Sequence, residues 1–297
     1  MSNSISSPRA IDHLVLPITD LETARERLTH LGFTVAADAR HPFGTENACV
    51  FFADDTYLEP LAVGSREDCL EAARTGNVFV ARDQAFRFRR VEGLSAIVVK
   101  TEDALADDAA YREDGMSAGS VLDFARQFRF PDGQTAEGAF RLAFAADLRA
   151  PDFFAFACQR INPLPTDRDS LLVHANGATG LRRVVLVEEN PSDFQYLLET
   201  VVDQRDVTAH SFGLSIQTAN VAVDVLTPEG FRLHFGQELL VSERGLVGAA
   251  VVIAVDDLGV TEACLAAKGV SYQKTGARLV VAPEKGQGVT FAFEELK

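Results

Sequence analysis

The chain has 297 residues, with 43 Asp and Glu against 28 Lys and Arg, a formal charge of −15 and a pI near 4.8. That acid excess leaves no electrostatic footprint for nucleic acid or an anionic membrane, and no apolar run approaches the ~18 residues that span a bilayer. The apolar fraction of 47%, with 21 Phe, suffices for a sizeable core in one or two domains.

"IDHLVLPI" (11–18) reads as an apolar strand carrying one histidine, His13. Thr19 and Asp20 are cap-type residues, and Leu21, Ala24, Leu28 and Leu31 follow at helical spacing until Gly32 stops the helix. "ENACVFFA" and "TYLEPLAV" then read as strands. "FVARDQAFRFRR" (79–90) forms a local basic patch. Salt bridging to the many acids is its plainer reading, and bidentate capture of a carboxylate-bearing substrate the alternative.

The opening pattern then recurs. Strand, acidic or Asn/Pro turn and helix begin again at Leu94, Leu181 and Val247, and Gly115 and Gly269 end helices as Gly32 does. After the helices come further strands: "SVLDFARQFRF", "GAFRLAFA" and "FFAFACQR" in the second copy, with a turn at Pro131-Asp132-Gly133, and shorter sets in the third and fourth. The unit is strand, helix and about three strands, four times over. "INPLPTDRDSLLVHANGATG" (161–180), rich in Pro, Asp, Asn and Gly, marks the expected boundary between domains 1–165 and 166–297. His174 and Asn176 within it read as turn chemistry. In "TPEGFRLHFG", Thr227 as cap and Pro228 in the first turn predict a short helix.

Four cysteines at long, irregular gaps form no CxxC pair, which argues against a zinc ribbon or disulfide framework. Together with an N-terminus that lacks an apolar signal region, they predict reduced thiols in a cytoplasmic protein. There is no GxSxG, P-loop or GxGxxG motif.

"DHLVL", "RHPFGTEN" with "YLEPLAV", "RRVEGLSAIVV", "FPDG" and "VHANGATGLRRVVLV" resemble, in order, segments of glyoxalase-like proteins. These belong to the vicinal oxygen chelate superfamily, with glyoxalase I, extradiol dioxygenases and bleomycin-resistance proteins. The resemblance runs from residue 11 to about 290. It implies an α+β fold in which four tandem βαβββ units pair into two curled, cup-like mixed sheets with helices outside. It also implies a divalent metal in the cup, held by first and last strands of paired units.

On that pattern His13 is the first-strand ligand, and Glu59 in "YLEPL" is the last-strand ligand and catalytic carboxylate. An imidazole and a carboxylate suit Zn, Mn, Fe, Ni or Co, and such an ion would stabilise an enolate-like oxyanion. The second unit departs from the pattern, with Ala96 at the first-strand position and Phe156, or on a shift of one Ala155 or Ala157, at the last-strand position. A third donor would come from the loop residue His41, or from Gln159. His41, Thr45, Asn47 and Gln159 are the candidate substrate contacts. In the second pair Arg183 and Asp224 occupy the ligand strands and read as an ion pair.

The reading is therefore a small-molecule protein, a metal-assisted lyase or isomerase acting in the N-terminal cup, as monomer or homodimer. Its alternatives are a metal-free drug- or metabolite-binding protein and an extradiol-type dioxygenase. The dioxygenase would need two His and a carboxylate, and only His13 is clearly placed.

Overall fold

The computed structural model describes residues 7–129, 135–162, 169–239 and 244–296. The apolar run at the start forms β1 (Ile11–Pro17), buried along its whole length. Asp20 caps α1 (Leu21–His30) by accepting from the Thr23 amide at 2.8 Å. The chain returns through short pieces, β2 (Ala39–Arg40), β3 (Thr45–Asn47) and β4 (Val50–Phe51), to β5 (Tyr57–Val63). A helical insert follows, α2 (Arg66–Arg74) and α3 (Val78–Arg89), so the arginine-rich stretch is a helix.

The second unit is β6 (Ala96–Lys100), α4 (Ala104–Glu113), β7 (Leu122–Arg129), β8 (Thr135–Ala145) and β9 (Phe154–Asn162). The third is β10 (Ala178–Val187), α5 (Gln195–Val202), β11 (Val207–His210), β12 (Gly213–Gln217) and β13 (Ala222–Leu226). The expected short helix follows as α6 (Pro228–Phe235), capped by Thr227. The fourth unit is β14 (Val247–Val255), α7 (Leu258–Ala267), β15 (Gln273–Thr275), β16 (Arg278–Val281) and β17 (Thr290–Glu295). The expected turn at Pro131-Asp132-Gly133 and the 165/166 boundary lie outside the described residues. The strands of the first sheet end at Asn162 and those of the second begin at Ala178.

The units pair as the repeat implies. In the first sheet, of order β2-β3-β5-β1-β6-β9-β8-β7, the first strands β1 and β6 run antiparallel at the centre, and each lies parallel to the last strand of its own unit. The second sheet, β11-β12-β13-β10-β14-β17-β16-β15, repeats this order. The first sheet curls until its ends meet, with Phe124 of β7 packing edge-on against Phe43 and His41 beside β3.

Each sheet has a cup face and an outer face. Val15, Val98, Phe144 and Phe156 cluster on the first cup face, while Leu14, Leu16, Ile97 and Val99 point the other way. The outer faces of both sheets and their helices share one core, in which Phe33 packs against Phe291 and Phe293. The "HANGATG" segment closes this junction. His174 accepts from the Thr34 amide through Nδ1 at 3.0 Å and reaches the Phe51 carbonyl through Nε2 at 2.9 Å. Asn176 donates to the Leu31 carbonyl and accepts from the Ala178 amide. Its turn role is as expected, but one partner belongs to the other half of the chain.

Candidate functional site

The strand registers agree with the equivalences that the repeat suggests. His13 lies opposite Val98, and Val15 opposite Ala96, and a pseudo-twofold through the Leu14–Ile97 pair carries His13 onto Ala96. Glu59 lies beside Val15 and Phe156 beside Val98, so the same operation carries Glu59 onto Phe156. The polar pair of the first unit is therefore matched by an alanine and a phenylalanine in the second. In the second sheet Arg183 and Asp224 take the places of His13 and Glu59, and Ala250 and Ala292 those of Ala96 and Phe156.

His13, His41, Thr45, Asn47 and Glu59 come together in the first cup, none more than 6% exposed. His13 Nε2 is 3.4 Å from one Glu59 oxygen, and His41 Nε2 is 3.8 Å from the other. The Asn47 amide donates to Glu59. The second nitrogen of each ring is already engaged: His13 Nδ1 with Asp12 at 2.7 Å and His41 Nδ1 with the Thr45 hydroxyl at 2.9 Å. Tyr57 stacks on His13 at a centroid distance of 4.3 Å, and Phe43 stacks on His41 at 5.0 Å. Both rings are thus fixed in orientation, with Nε2 turned towards the carboxylate.

Gln159, the other candidate contact, lies outside this cluster. Its carbonyl accepts from the Ala104 amide and its amide donates to the Glu102 carbonyl, holding the start of α4 on the outer face. Strand alternation explains this: Phe156 and Cys158 line the cup, so Gln159 must face away.

Asp12 was not singled out in the sequence. In a regular strand its side chain would oppose that of His13. An irregular register between Ile11 and His13 lets neighbouring residues join one network. Asp12 also accepts from Arg160 at 2.7 Å. An Asp-His pair inside an apolar strand was the available signal.

Burial works against charge throughout the cluster, and the partners decide each outcome. Burial opposes ionisation of Glu59, yet His13, His41 and Asn47 pull its pKa down to about 2. Burial likewise disfavours the His13 cation, but the hydrogen bonds to Asp12 and Glu59 raise its pKa. His41 lacks such compensation, and burial drives it down to about 4, so its ring is neutral at pH 7. Burial raises Cys158 far above the ordinary thiol range, which leaves it a protonated wall residue and no nucleophile.

The cavity above Glu59 is small, about 40 Å³, and lined by Phe43, Phe79, Phe124, Phe140 and Phe156 besides the polar groups. Phe79, from α3, lies edge-on to both His41 and Phe156. Helix α3 is locked in place by Arg87, which donates to Asp83 at 2.8 Å and to the carbonyls of Ile18 and Leu61. Arg89 and Arg90 both pair with Asp152. The salt-bridging reading of the basic stretch therefore describes these three arginines.

The donor chemistry suits a divalent ion in part. Two donors each ~2.1 Å from a tetrahedral ion stand about 3.4 Å apart, which is the His13–Glu59 separation. Among the described residues, however, no three His, Cys, Asp or Glu groups are already gathered tightly enough to hold an ion. A third bond would require His41 to close on Glu59.

A family model described as a glyoxalase-like domain matches residues 11–202, more than half of the chain. The chain belongs to the glyoxalase-like domain family. The match extends past the expected boundary into α5. No curated protein matches by sequence. A hypothetical protein from Staphylococcus aureus aligns with TM-score 0.66 at 13% identity, over 96% of this chain and 99% of the other. A variant of 4-hydroxymandelate synthase from Streptomyces coelicolor aligns with TM-score 0.61 at 13% identity, over 98% and 93%. A Mn(II)-bound glyoxalase from Novosphingobium aromaticivorans aligns with TM-score 0.52 at 10% identity, over 97% and 83%. These likenesses are of fold alone: this glyoxalase-like chain shares its architecture with those proteins. Among the described residues no helix is long and apolar enough to cross a membrane.

Proposed function

We propose that the N-terminal cup of this glyoxalase-like protein binds a small organic molecule and acts on it as a divalent-metal-assisted lyase or isomerase, with His13, His41 and Glu59 as the protein donors. The carrying observation is the paired fixing of the two imidazoles. Asp12 and Thr45 take one nitrogen of each ring, and both remaining nitrogens face one ionised carboxylate. A carboxylate on the outer nitrogen of a ligating histidine sets its tautomer and raises its basicity. A bound ion would supply Lewis-acid stabilisation of a developing enolate-like oxygen. Glu59 is ionised at neutral pH and so free to accept a substrate proton, as a weak base while His13, His41 and Asn47 hold its pKa at about 2, and Asn47 holds its orientation. The phenylalanine wall excludes water and favours an apolar or aromatic substrate.

The test is elemental analysis of purified protein together with titration of metal-free protein with Mn(II), Zn(II) and Ni(II). The reading expects one ion per chain, lost in His13→Gln and in Glu59→Gln. Absence of tight binding by all three ions would end it.

A second reading, a metal-free binding protein, is favoured by one observation: the symmetry-related donor positions hold Ala96 and Phe156. It expects ligand affinity that is indifferent to chelators and to ion addition. The substrate contacts of His41, Thr45 and Asn47, a cytoplasmic location and a monomeric or homodimeric state remain parts of the proposal.

A further inference from the structure

The two cups differ most in their free space. The first is filled by aromatic rings to about 40 Å³, whereas the second keeps a cavity of about 440 Å³, within the range of small-ligand sites. That second cavity sits over the strand positions equivalent to His13 and Glu59, where Arg183 and Asp224 now stand.

Two arginines, Arg183 and Arg278, and two histidines, His210 and His234, line it together with Asp224, and each arginine has one carboxylate partner. Each arginine is anchored by one edge only. Arg183 uses Nη1 alone for both Asp224 oxygens, at 2.7 and 2.8 Å. Arg278 uses Nε for Glu294, at 2.7 Å, and lies 5.4 Å from the centroid of the Phe235 ring. Anchoring of this kind holds a guanidinium in place while leaving further N–H groups for a ligand. Both arginines bear electrostatically on His234. After burial, Arg278 and His210 are the largest influences lowering its pKa, with Arg183 contributing. The rest of the wall is Ser215 with Phe212, Leu226 and Phe235, and of these rings Phe235 is only 1% exposed.

We propose that the C-terminal cup is a binding site for a small organic anion, its carboxylate held between Arg183 and Arg278 and its aromatic body against Phe212. The cavity matches such a molecule in three respects: volume, oriented guanidinium N–H donors at one end, and the Phe212 ring on the wall. The site is separate from the Glu59 cluster and needs no metal.

Calorimetric titration of the intact protein with benzoate tests this, with the neutral isostere benzamide and with inorganic phosphate as separate arms. Benzoate is expected to bind at one site with Kd of order 1 mM, and benzamide at least tenfold more weakly. Phosphate, lacking the apolar body, should also bind at least tenfold more weakly. Arg278→Gln should weaken benzoate at least tenfold, whereas Glu59→Gln should leave it unchanged. Removing Arg183 alone would strand Asp224, so Arg183→Gln is paired with Asp224→Asn. That double variant should also lose benzoate while keeping a cooperative thermal transition. Equal binding of benzamide, equal binding of phosphate, no benzoate binding, or unchanged affinity in both arginine variants would each overturn the proposal.

Discussion

Arg183 occupies in the second sheet the position that His13 occupies in the first, and each faces a carboxylate across the same strand pair. Val185 lies beside Asp224 as Val15 lies beside Glu59. The exchange alters chemistry while leaving the fold alone. A guanidinium cannot ligate a metal and remains charged, so Arg183 and Asp224 neutralise each other. An imidazole can give up its proton, which leaves Glu59 with a partner that is replaceable by an ion.

Metal loading should therefore raise the thermal stability of the protein. An ion at 100 times its Kd adds about 2.7 kcal/mol to unfolding. Chelation should remove that increment, and His13→Gln should show none with or without the ion. Differential scanning calorimetry in Mn(II) and in EDTA reads both. Protons compete for His13, whose folded pKa is raised, so ion affinity should increase with pH until that ring is neutral.

Acid should weaken the junction between the halves through His174. Its Nδ1 accepts the Thr34 amide and so must be unprotonated, and burial lowers its pKa. Below the unfolded-state value near 6.5 the unfolded chain therefore binds more protons at this site than the folded one. Stability from this group is present at pH 7 and is lost as pH falls below about 6.5. Urea unfolding at pH 7.5 and 5.5 should show a smaller acid loss in His174→Asn than in the parent, though the variant is less stable at pH 7.5.

Arg87→Met should destabilise the protein by about 3–5 kcal/mol, because it leaves Asp83 buried without its cation. Asp83 already has one buried oxygen without a hydrogen-bond partner, and its pKa is raised because burial outweighs Arg87. Adding Asp83→Asn should recover part of the loss. A double-mutant cycle in denaturant gives the coupling, and strict additivity would contradict it.

Asn176→Ala should cost about 2–3 kcal/mol, since it leaves the Leu31 carbonyl and the Ala178 amide without a buried partner. The midpoint of chemical unfolding should fall with an unchanged slope, and the Glu59 cluster should keep its ion affinity.

The architecture was legible because each unit begins with an unbroken apolar strand and a capped helix. Four copies reveal strand pairing that no single copy could. The same repeat pointed to Ala96 and Phe156 as the counterparts of His13 and Glu59, and the registers are compatible with that. The site was legible in part. His41, Thr45 and Asn47 were drawn from one short segment and do converge on Glu59. Gln159 was misplaced by one residue of strand parity. Asp12 was hidden because its contact with His13 departs from strand alternation. Helix α3 was obscured by its arginines, whose charges suggested a surface patch. Asp83 neutralises Arg87 within the helix, four residues away, whereas Asp152 reaches Arg89 and Arg90 only through the tertiary structure.

Phe79 has a kinetic consequence for the first cup. With α3 pinned by Arg87 and the ring wedged between His41 and Phe156, a molecule larger than a few atoms should reach Glu59 only once that ring gives way. Uptake then draws on a minor open population, and apparent affinity is reduced by the fraction of protein that is open. At high ligand concentration the observed binding rate should level off at the opening rate, so the speed of this site would be set by a ring that performs no chemistry.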